Sequence, residues 1–232
     1  MKHMLHPAWY LLALFLAAPF TGRAAEPNTL TEAEKKAGWK LLFNGKTTDG
    51  WESFRKGGDP TKGWKVVDGA LTRAAGGAGD IVTADEYGNY ELVLEYKIAK
   101  GGNSGLMFHV LREGGAPWHS GPEIQIQDNK DGHDPQKSGW LYQFYKSDVD
   151  TTKPAGEWNE LRFLITPEKG SLWMNGTKYY DFVYQSDDWN QLLAKSKFAN
   201  MPKFGKATKG HLCLQDHGDE VAFRNIKIRE IK

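Results

Sequence analysis

The sequence predicts an all-β fold in one domain: a two-sheet antiparallel jelly-roll sandwich with one or two short helices. Two observations support this prediction. Short β-prone runs are separated by hairpin turns, among them Asp68-Gly69 and Asn175-Gly176. No strand alternates with a long helix, and no period of roughly 20–50 residues repeats, which argues against parallel α/β sheets, propellers and solenoids.

The first 25 residues are typical of a secretory signal peptide. Lys2 gives a cationic start, residues 9–20 form an apolar run, and Gly22-Arg23-Ala24 supplies a small-x-small cleavage pattern. The alternative is an uncleaved membrane anchor, but the apolar run is shorter than the roughly 20 residues that span a bilayer. We therefore expect a secreted or periplasmic protein that has no membrane segment after cleavage.

The mature chain divides into an N-terminal segment, residues 26–37, and the jelly-roll domain, residues 38–232. The first segment contains Thr31 and Glu34, which have the spacing of a capping box and predict a short helix. A second helix is predicted over residues 189–197, capped by Ser186-Asp187-Asp188. Strands are predicted at residues 41–43, 64–67, 70–73, 90–98, 104–111, 123–128, 161–165, 171–174, 179–183, 211–214 and 221–228.

Alternation within three strands assigns their side chains to opposite faces. One face carries the apolar residues of each strand, which are Leu92, Leu94, Tyr96, Ile98, Leu106, Phe108, Val110, Ile124 and Ile126. The other face carries Glu91, Val93, Glu95, Lys97, Met107, His109, Leu111, Glu123, Gln125 and Gln127. If these strands are neighbours, their acids, bases and amides converge on one surface. The alternative is an ordinary solvated face.

Charge and cysteine content exclude several classes of function. Thirty Lys and Arg stand against 29 Asp and Glu, a net charge of +1 without a basic run, so nucleic acid is not an expected partner. Cys213 is the single cysteine, which excludes intramolecular disulfides, cysteine-based zinc clusters and dithiol redox chemistry. The sequence contains neither the Gly-x-Ser-x-Gly nor the His-Glu-x-x-His motif of common hydrolases.

Three loops contain residues suited to binding or catalysis. The glycine-rich turn at residues 101–105 lacks the ending of a P-loop, so we expect close backbone approach to a ligand or a bulge. The loop that begins at Asp128 is rich in oxygen ligands but lacks EF-hand spacing. It is either a looser site for a divalent metal such as calcium or a polar turn. His217 lies between Asp216 and Asp219, which suits either an acid or base oriented by a carboxylate, or a structural turn stabilised by Asp216.

A series of motifs in order resembles the 3-keto-disaccharide hydrolase-like domain family, from about Gly38 to the end of the chain. The motifs are GW at 38–39, LFNG at 42–45, DGW at 49–51, NSG at 103–105 with Phe108, GPE at 121–123 with Gln125 and Asp128, KPAGEWN at 153–159, WMNG at 173–176, SKF at 196–198, GHL at 210–212, LQDHG at 214–218 and FRNI at 223–226.

This resemblance implies a concanavalin A-like jelly roll of the lectin and laminarinase type, usually exported by bacteria. It also implies activity on glycosides already oxidised to a ketone at carbon 3. His109 stands where the family often has Arg, so the resemblance points to substrate choice rather than catalysis for this residue. The two-carboxylate arrangement of laminarinases is not met, because Gln125 and Gln127 occupy the alternate positions after Glu123.

A ketone at carbon 3 acidifies the hydrogen on carbon 2, so a base can remove it and the enolate can expel the substituent on carbon 1. Such a site needs a base, a group that stabilises the enolate oxygen, and an acid for the leaving group. We assign proton transfer to Glu123 and His217. Lys97, Gln125 and Gln215, or a metal held partly by Asp128 or Glu123, are assigned to the oxyanion. Asn103, Trp140 and Tyr142 are assigned to sugar positioning, and His109 to substrate choice.

Two functional classes follow from these residues, and no obligate protein partner is implied by either. The first is an enzyme that cleaves 3-keto-glycosides or 3-keto-disaccharides. The second is a lectin-like carbohydrate-binding module, for which the same polar and aromatic face suffices. A structural exported domain that binds a partner protein is a third class, but no sequence feature supports it.

Overall fold

The computed structural model describes residues 26–74 and 79–232, and the predicted signal peptide lies outside these ranges. Within them the chain forms two antiparallel sheets packed as a jelly-roll sandwich, as predicted. None of the helices in the described ranges has the length and apolar character needed to cross a bilayer.

Thirteen strands are found in the described residues. They are β1 (Lys40–Leu41), β2 (Trp51–Ser53), β3 (Trp64–Val67), β4 (Ala70–Arg73), β5 (Ile81–Thr83), β6 (Tyr90–Ile98), β7 (Asn103–Val110), β8 (Glu123–Gln127), β9 (Asn159–Ile165), β10 (Gly170–Met174), β11 (Thr177–Phe182), β12 (His211–Leu214) and β13 (Val221–Glu230). The larger sheet has the order β11-β10-β9-β6-β13-β4-β3, with β1 also paired to β13. The smaller sheet has the order β2-β5-β12-β7-β8.

Both predicted helices form at their predicted caps. Helix α1 (Glu32–Lys36) starts with the full capping box between Thr31 and Glu34. Helix α2 (Asp187–Lys195) starts where Ser186 Oγ accepts the backbone N–H of Trp189, at 3.2 Å. The Trp189 ring stacks on Phe144 with a centroid distance of 4.2 Å, which packs α2 against the rest of the domain. Two short 3₁₀ helices, Pro60–Lys62 and Pro117–His119, lie in the loops.

The predicted alternation of β6 is confirmed. Leu92, Leu94, Tyr96 and Ile98 are buried in the main core between the two sheets. Lys97, which lies between Tyr96 and Ile98 and therefore points to the opposite face, is only partly buried on the outer face of the larger sheet. Burial of these apolar faces provides most of the stability that a chain without disulfides can have.

Strand β7 departs from the predicted alternation at His109. Leu106 and Phe108 lie in the main core, but Val110 joins Met107 in a second cluster, so the predicted face of Val110 is wrong. The cause is a β-bulge: His109 has a φ of 51°, and the register between β7 and β12 shifts at this point. The bulge reverses the order of inward and outward side chains.

A second apolar cluster lies on the outer face of the smaller sheet, which we call the site face. The floor cluster consists of five buried residues: Phe54, Val82, Met107, Val110 and Cys213. Strands β2 and β5, which contribute to this sheet, are not predicted from the sequence because each has only three residues, too few to show alternation. The site face thus has an apolar centre bordered by polar residues.

Candidate active site

Glu123 and His217 line the same cavity on the site face. This cavity, the Glu123 pocket, has a volume of 330 Å³. It is lined by Trp118, Glu123, Lys197, Phe198, Met201, Gln215 and His217. Residues that are 94 positions apart in the sequence are brought together because β8 and β12 each neighbour β7.

Glu123 is held over the sheet by a close fit with a glycine. It is the first residue of β8, and its backbone C=O accepts the N–H of Tyr142 at 2.9 Å. Its carboxyl group extends over Gly105 of β7, where the Cβ of any larger residue would overlap Oε1. The glycine-rich turn that precedes β7 therefore ends in a residue whose missing side chain makes room for the carboxyl group.

Burial raises the pKa of Glu123 to about 8. Lys197 opposes this effect by attracting the ionised form, whereas the carboxyl groups of Asp134 and Asp80 raise the pKa further. The floor cluster explains the burial, since Met107 pairs directly with Glu123 across the β7–β8 ladder. A carboxyl group with this pKa can accept or donate a proton near neutral pH.

Lys197 lines the Glu123 pocket, although the sequence prediction did not include it among the site residues. It lies two residues after α2, and its ammonium group sits 4.2 Å from the ring centre of Tyr142. Tyr142 Oη donates to Asp134 Oδ2 at 2.8 Å, which fixes the ring beneath the lysine. The SKF motif at residues 196–198 was the available signal, but the motif alone does not show that Lys197 faces Glu123.

Amide side chains at the site face have buried atoms without a hydrogen-bond partner among the described residues. These atoms are Gln215 Oε1, Asn103 Oδ1 and Gln125 Nε2. Gln215 lines the Glu123 pocket, and its backbone N–H donates to Gly105 O at 2.9 Å. Because unpaired buried polar atoms are costly, the Gln215 atom beside the cavity indicates a hydrogen bond that a ligand would complete.

His217 reaches the pocket from a loop stabilised by its neighbours. Asp216 Oδ1 accepts from Arg73 Nε at 2.7 Å and from the Gly218 N–H at 3.1 Å. Asp219 Oδ2 accepts from the Asn103 N–H at 2.9 Å. One oxygen of each flanking carboxylate is therefore engaged elsewhere, and no hydrogen bond joins either carboxylate to the His217 ring in the described part of the chain. The turn stabilised by Asp216 is confirmed, and it presents His217 as an exposed side chain.

Two of the three residues assigned to sugar positioning, Trp140 and Tyr142, flank β8, whereas the third, Asn103, begins β7. Trp140 O accepts the N–H of Gln125 at 2.9 Å, and Leu141 between Trp140 and Tyr142 bridges to Ile124 and is buried in the main core. The ring of Tyr142 lies against the ammonium group of Lys197, but neither Trp140 nor Asn103 lines the Glu123 pocket. Trp118, which lines the pocket, is 39% exposed and provides an aromatic surface open to a ligand.

Two predicted site residues lie elsewhere, and their assignment is corrected. Lys97 is on the outer face of the larger sheet, 5.1 Å from the ring centre of Trp158, because β6 belongs to that sheet. His109 is turned by the bulge into an aromatic environment with Tyr90 and Tyr184, and its Nε2 lies 2.9 Å from Gly88 O. Burial lowers the pKa of His109. Neither side chain lines the Glu123 pocket.

Asp128 stabilises a loop. Its Oδ2 accepts the N–H of Gly101 at 2.9 Å, and its Oδ1 accepts the N–H of Lys130 at 3.1 Å. Burial acts to raise the pKa of Asp128, but the backbone hydrogen bonds lower it overall. No group of three or more His, Cys, Asp and Glu side chains suited to a metal occurs in residues 26–74 and 79–232. The polar-turn interpretation accounts for the contacts of Asp128.

We predict that Glu123 titrates near pH 8 and that Lys197→Met raises this pKa, because the substitution removes the nearby positive charge. Carbon-13 NMR of the labelled glutamate carboxyl groups measures both values. Lys195→Met, in the exposed last turn of α2, is the matched control and leaves the pKa unchanged. A Glu123 carboxyl group that titrates near its ordinary value of 4.5 would contradict the described site.

Comparisons with known proteins agree on one family. A profile of the 3-keto-alpha-glucoside-1,2-lyase-like domain matches residues 38–229. A Bacteroides thetaiotaomicron protein named 3-keto-disaccharide hydrolase is 30% identical over 245 aligned positions, which cover 89% of this chain and 83% of that protein.

Two solved structures from Parabacteroides distasonis, both described as candidate glycosyl hydrolases, share the fold. The first is 39% identical with a TM-score of 0.82 and covers 89% of this chain and 100% of its own. The second is 29% identical with a TM-score of 0.64, and the match covers 83% of this chain and 99% of the second structure's chain. From the profile match and the curated relative, this chain belongs to the 3-keto-alpha-glucoside-1,2-lyase-like domain family.

Proposed function

We propose that this protein is a carbohydrate-active enzyme that cleaves 3-keto-glycosides, including 3-keto-disaccharides, by removing a proton from carbon 2. The names of the family and of its curated relative support the substrate class. The observation that carries the proposal is the pairing of Glu123, with a pKa of about 8, and Lys197 in one cavity. This pair supplies a base and a cation, the two groups that enolate chemistry needs.

Glu123 acts as the base in the proposed first step. Its carboxylate takes the hydrogen on carbon 2 as a proton, and the electron pair of the C–H bond forms an enolate whose negative charge lies on the oxygen of carbon 3. A carboxyl group with a raised pKa is a stronger base than an ordinary one, and a pKa near the working pH is the best compromise between basicity and ionised fraction. The ammonium group of Lys197 stabilises the enolate oxygen.

His217 acts as the acid in the second step. The enolate collapses to restore the ketone and form a double bond between carbons 1 and 2, which expels the oxygen on carbon 1. The leaving oxygen takes a proton from His217, which lines the same cavity as Glu123. Water then adds its oxygen to carbon 1 and a proton to carbon 2, so the net reaction is hydrolysis. Release of the unsaturated sugar before this addition makes the reaction that of a lyase.

The remaining residues of the site suit the binding of a sugar ring. Trp118 is 39% exposed and presents aromatic surface, on which the C–H groups of a sugar can pack, while Phe198 lines the pocket from a buried position. Gln215 Oε1 and Asn103 Oδ1 are acceptors without partners among the described residues, so each can accept a hydrogen bond from a sugar hydroxyl group. Apolar surface with a few placed polar groups is typical of small-molecule sites.

We also propose that the protein is exported and acts on its substrate outside the cytoplasm. This part of the proposal is supported by residues 1–25, whose apolar run and small-x-small pattern are typical of a secretory signal peptide. Comparison of the intact and mature N-termini after expression in a bacterium tests it.

We expect the purified protein to release free sugar from a 3-keto-disaccharide but not from its unoxidised parent, because only the ketone acidifies carbon 2. Glu123→Gln and Lys197→Met each lower kcat by about 10²–10⁴-fold, the range for loss of one acid–base or charge-stabilising group. Sugar release followed by chromatography measures these rates.

Lys97→Met is the matched control for Lys197→Met, since Lys97 lies on the other sheet, and it retains the wild-type rate. Equal cleavage of the unoxidised parent would refute the elimination mechanism. Saturable binding of both compounds without turnover would instead support the lectin-like alternative.

The pH dependence of the rate distinguishes a base from an acid at Glu123. The step to follow is exchange of the hydrogen on carbon 2 with heavy water in a 3-keto sugar without a leaving group, because this step does not need the proton of His217. If Glu123 is the base, the exchange rate above the uncatalysed rate increases with pH and levels off above about 8, where the carboxyl group is ionised. If its protonated form were required, this rate would decrease over the same interval, and the assignment of Glu123 as base would be wrong. A pH series of initial exchange rates measures this profile.

A further inference from the structure

We propose that a second cavity on the site face binds the leaving group, and that this leaving group is a second sugar ring. This inference rests on the proposed function and adds the location and chemistry of the second binding subsite. The second cavity, which we call the Asp80 pocket, has a volume of 460 Å³. Its lining includes Phe54, Arg55, Asp59, Lys62, Asp80 and Asp216.

The two cavities lie side by side across the smaller sheet. The Glu123 pocket is bordered by the start of β8 and the end of β12, and the Asp80 pocket by the end of β12, the start of β5 and the end of β2. This follows the strand order β2-β5-β12-β7-β8. With about 4.8 Å between strands, the row from β8 to β2 spans about 19 Å, which is longer than one sugar ring.

The boundary between the cavities is formed by two consecutive residues. Asp216 lines the Asp80 pocket and His217 lines the Glu123 pocket. Asp80 Oδ1 accepts the backbone N–H of Asp216 at 2.9 Å, so the boundary is anchored to the strand that follows Asp80. Burial raises the pKa of Asp80 while the charge of His217 lowers it, and the charge of Asp80 in turn raises the pKa of Glu123.

The place of His217 at the boundary indicates where the leaving group lies. Lys197 and Glu123 interact within the first pocket, and His217 stands at the boundary with the second. The proposed chemistry places Lys197 at the oxygen of carbon 3, Glu123 at carbon 2, and His217 at the oxygen that leaves carbon 1. The group attached to that oxygen therefore extends past His217 into the Asp80 pocket.

The lining of the Asp80 pocket suits a neutral, hydroxyl-rich group. Arg55 and Lys62 are donors, while Asp59 and Asp80 are acceptors, so both hydrogen-bonding senses are offered. A sugar hydroxyl group both donates and accepts, and so it satisfies such a mixed set. Arg55, Asp59 and Lys62 are exposed, so their side chains can reach the hydroxyl groups of a ring placed in this cavity.

Gly115 allows the Asp80 pocket to be filled by mutation. It lines this pocket, its φ is outside the left-handed region, and a Cβ on it would meet its nearest neighbour, His119 Cε1, at 3.5 Å. Gly115→Leu therefore adds bulk at the lining of the cavity without backbone strain. Arg55→Met is a second variant that removes one donor, and Lys56→Met, an exposed neighbour outside the lining, is its matched control.

The test compares a 3-keto-disaccharide with the methyl 3-keto-glycoside of the same sugar, which lacks the second ring. We expect Gly115→Leu and Arg55→Met to lower kcat/KM for the disaccharide by about 10-fold or more and to change that for the methyl glycoside by less than about twofold. Lys56→Met leaves both values unchanged. Thermal unfolding of each variant verifies that it is folded.

Equal losses on both substrates, or no loss on either, would overturn the second subsite while the proposed function stands. Lack of turnover of both substrates by the wild-type protein would refute the proposed function, and the leaving-group subsite with it. These two failures are therefore distinguishable in one set of measurements.

Discussion

The site depends on the burial of one carboxyl group against an apolar floor. Burial raises the pKa of Glu123 to about 8, so in the folded chain the protonated form is favoured. The sign of the effect on stability follows: ionisation costs folding free energy, and the cost grows as pH rises from the ordinary value of 4.5 to about 8. Lys197 limits this cost, and the proposed chemistry uses the same charge.

The fold provides this environment by covering the outer face of one sheet with apolar side chains. Val82, Met107 and Cys213 come from three adjacent strands, β5, β7 and β12, and are fully buried. Cys213 is buried next to Glu123 and Asp80, and burial raises the pKa of its thiol. A face that elsewhere in such a sandwich would be solvated therefore excludes water at its centre, where a charged group interacts most strongly with its neighbours.

Much of the fold could be predicted from the sequence, because alternation and turn residues are local signals. The shared cavity of Glu123 and His217 was also predicted, since both residues lie in family motifs. Lys97 was misplaced because alternation gives the face of a strand but not the sheet to which the strand belongs. His109 was misplaced because its β-bulge has no signature in residue type, and Lys197 was missed because its approach to Glu123 depends on how the segment after α2 packs on the site face.

The most direct test of the role of Glu123 separates proton removal from bond cleavage. A 3-keto sugar without a leaving group on carbon 1 is incubated with the protein in heavy water, and proton NMR follows the hydrogen on carbon 2. We predict that the wild-type protein replaces this hydrogen by deuterium and that Glu123→Gln does so at the uncatalysed rate. Cleavage of 3-keto-disaccharides by a protein that does not catalyse this exchange would contradict the proposed chemistry.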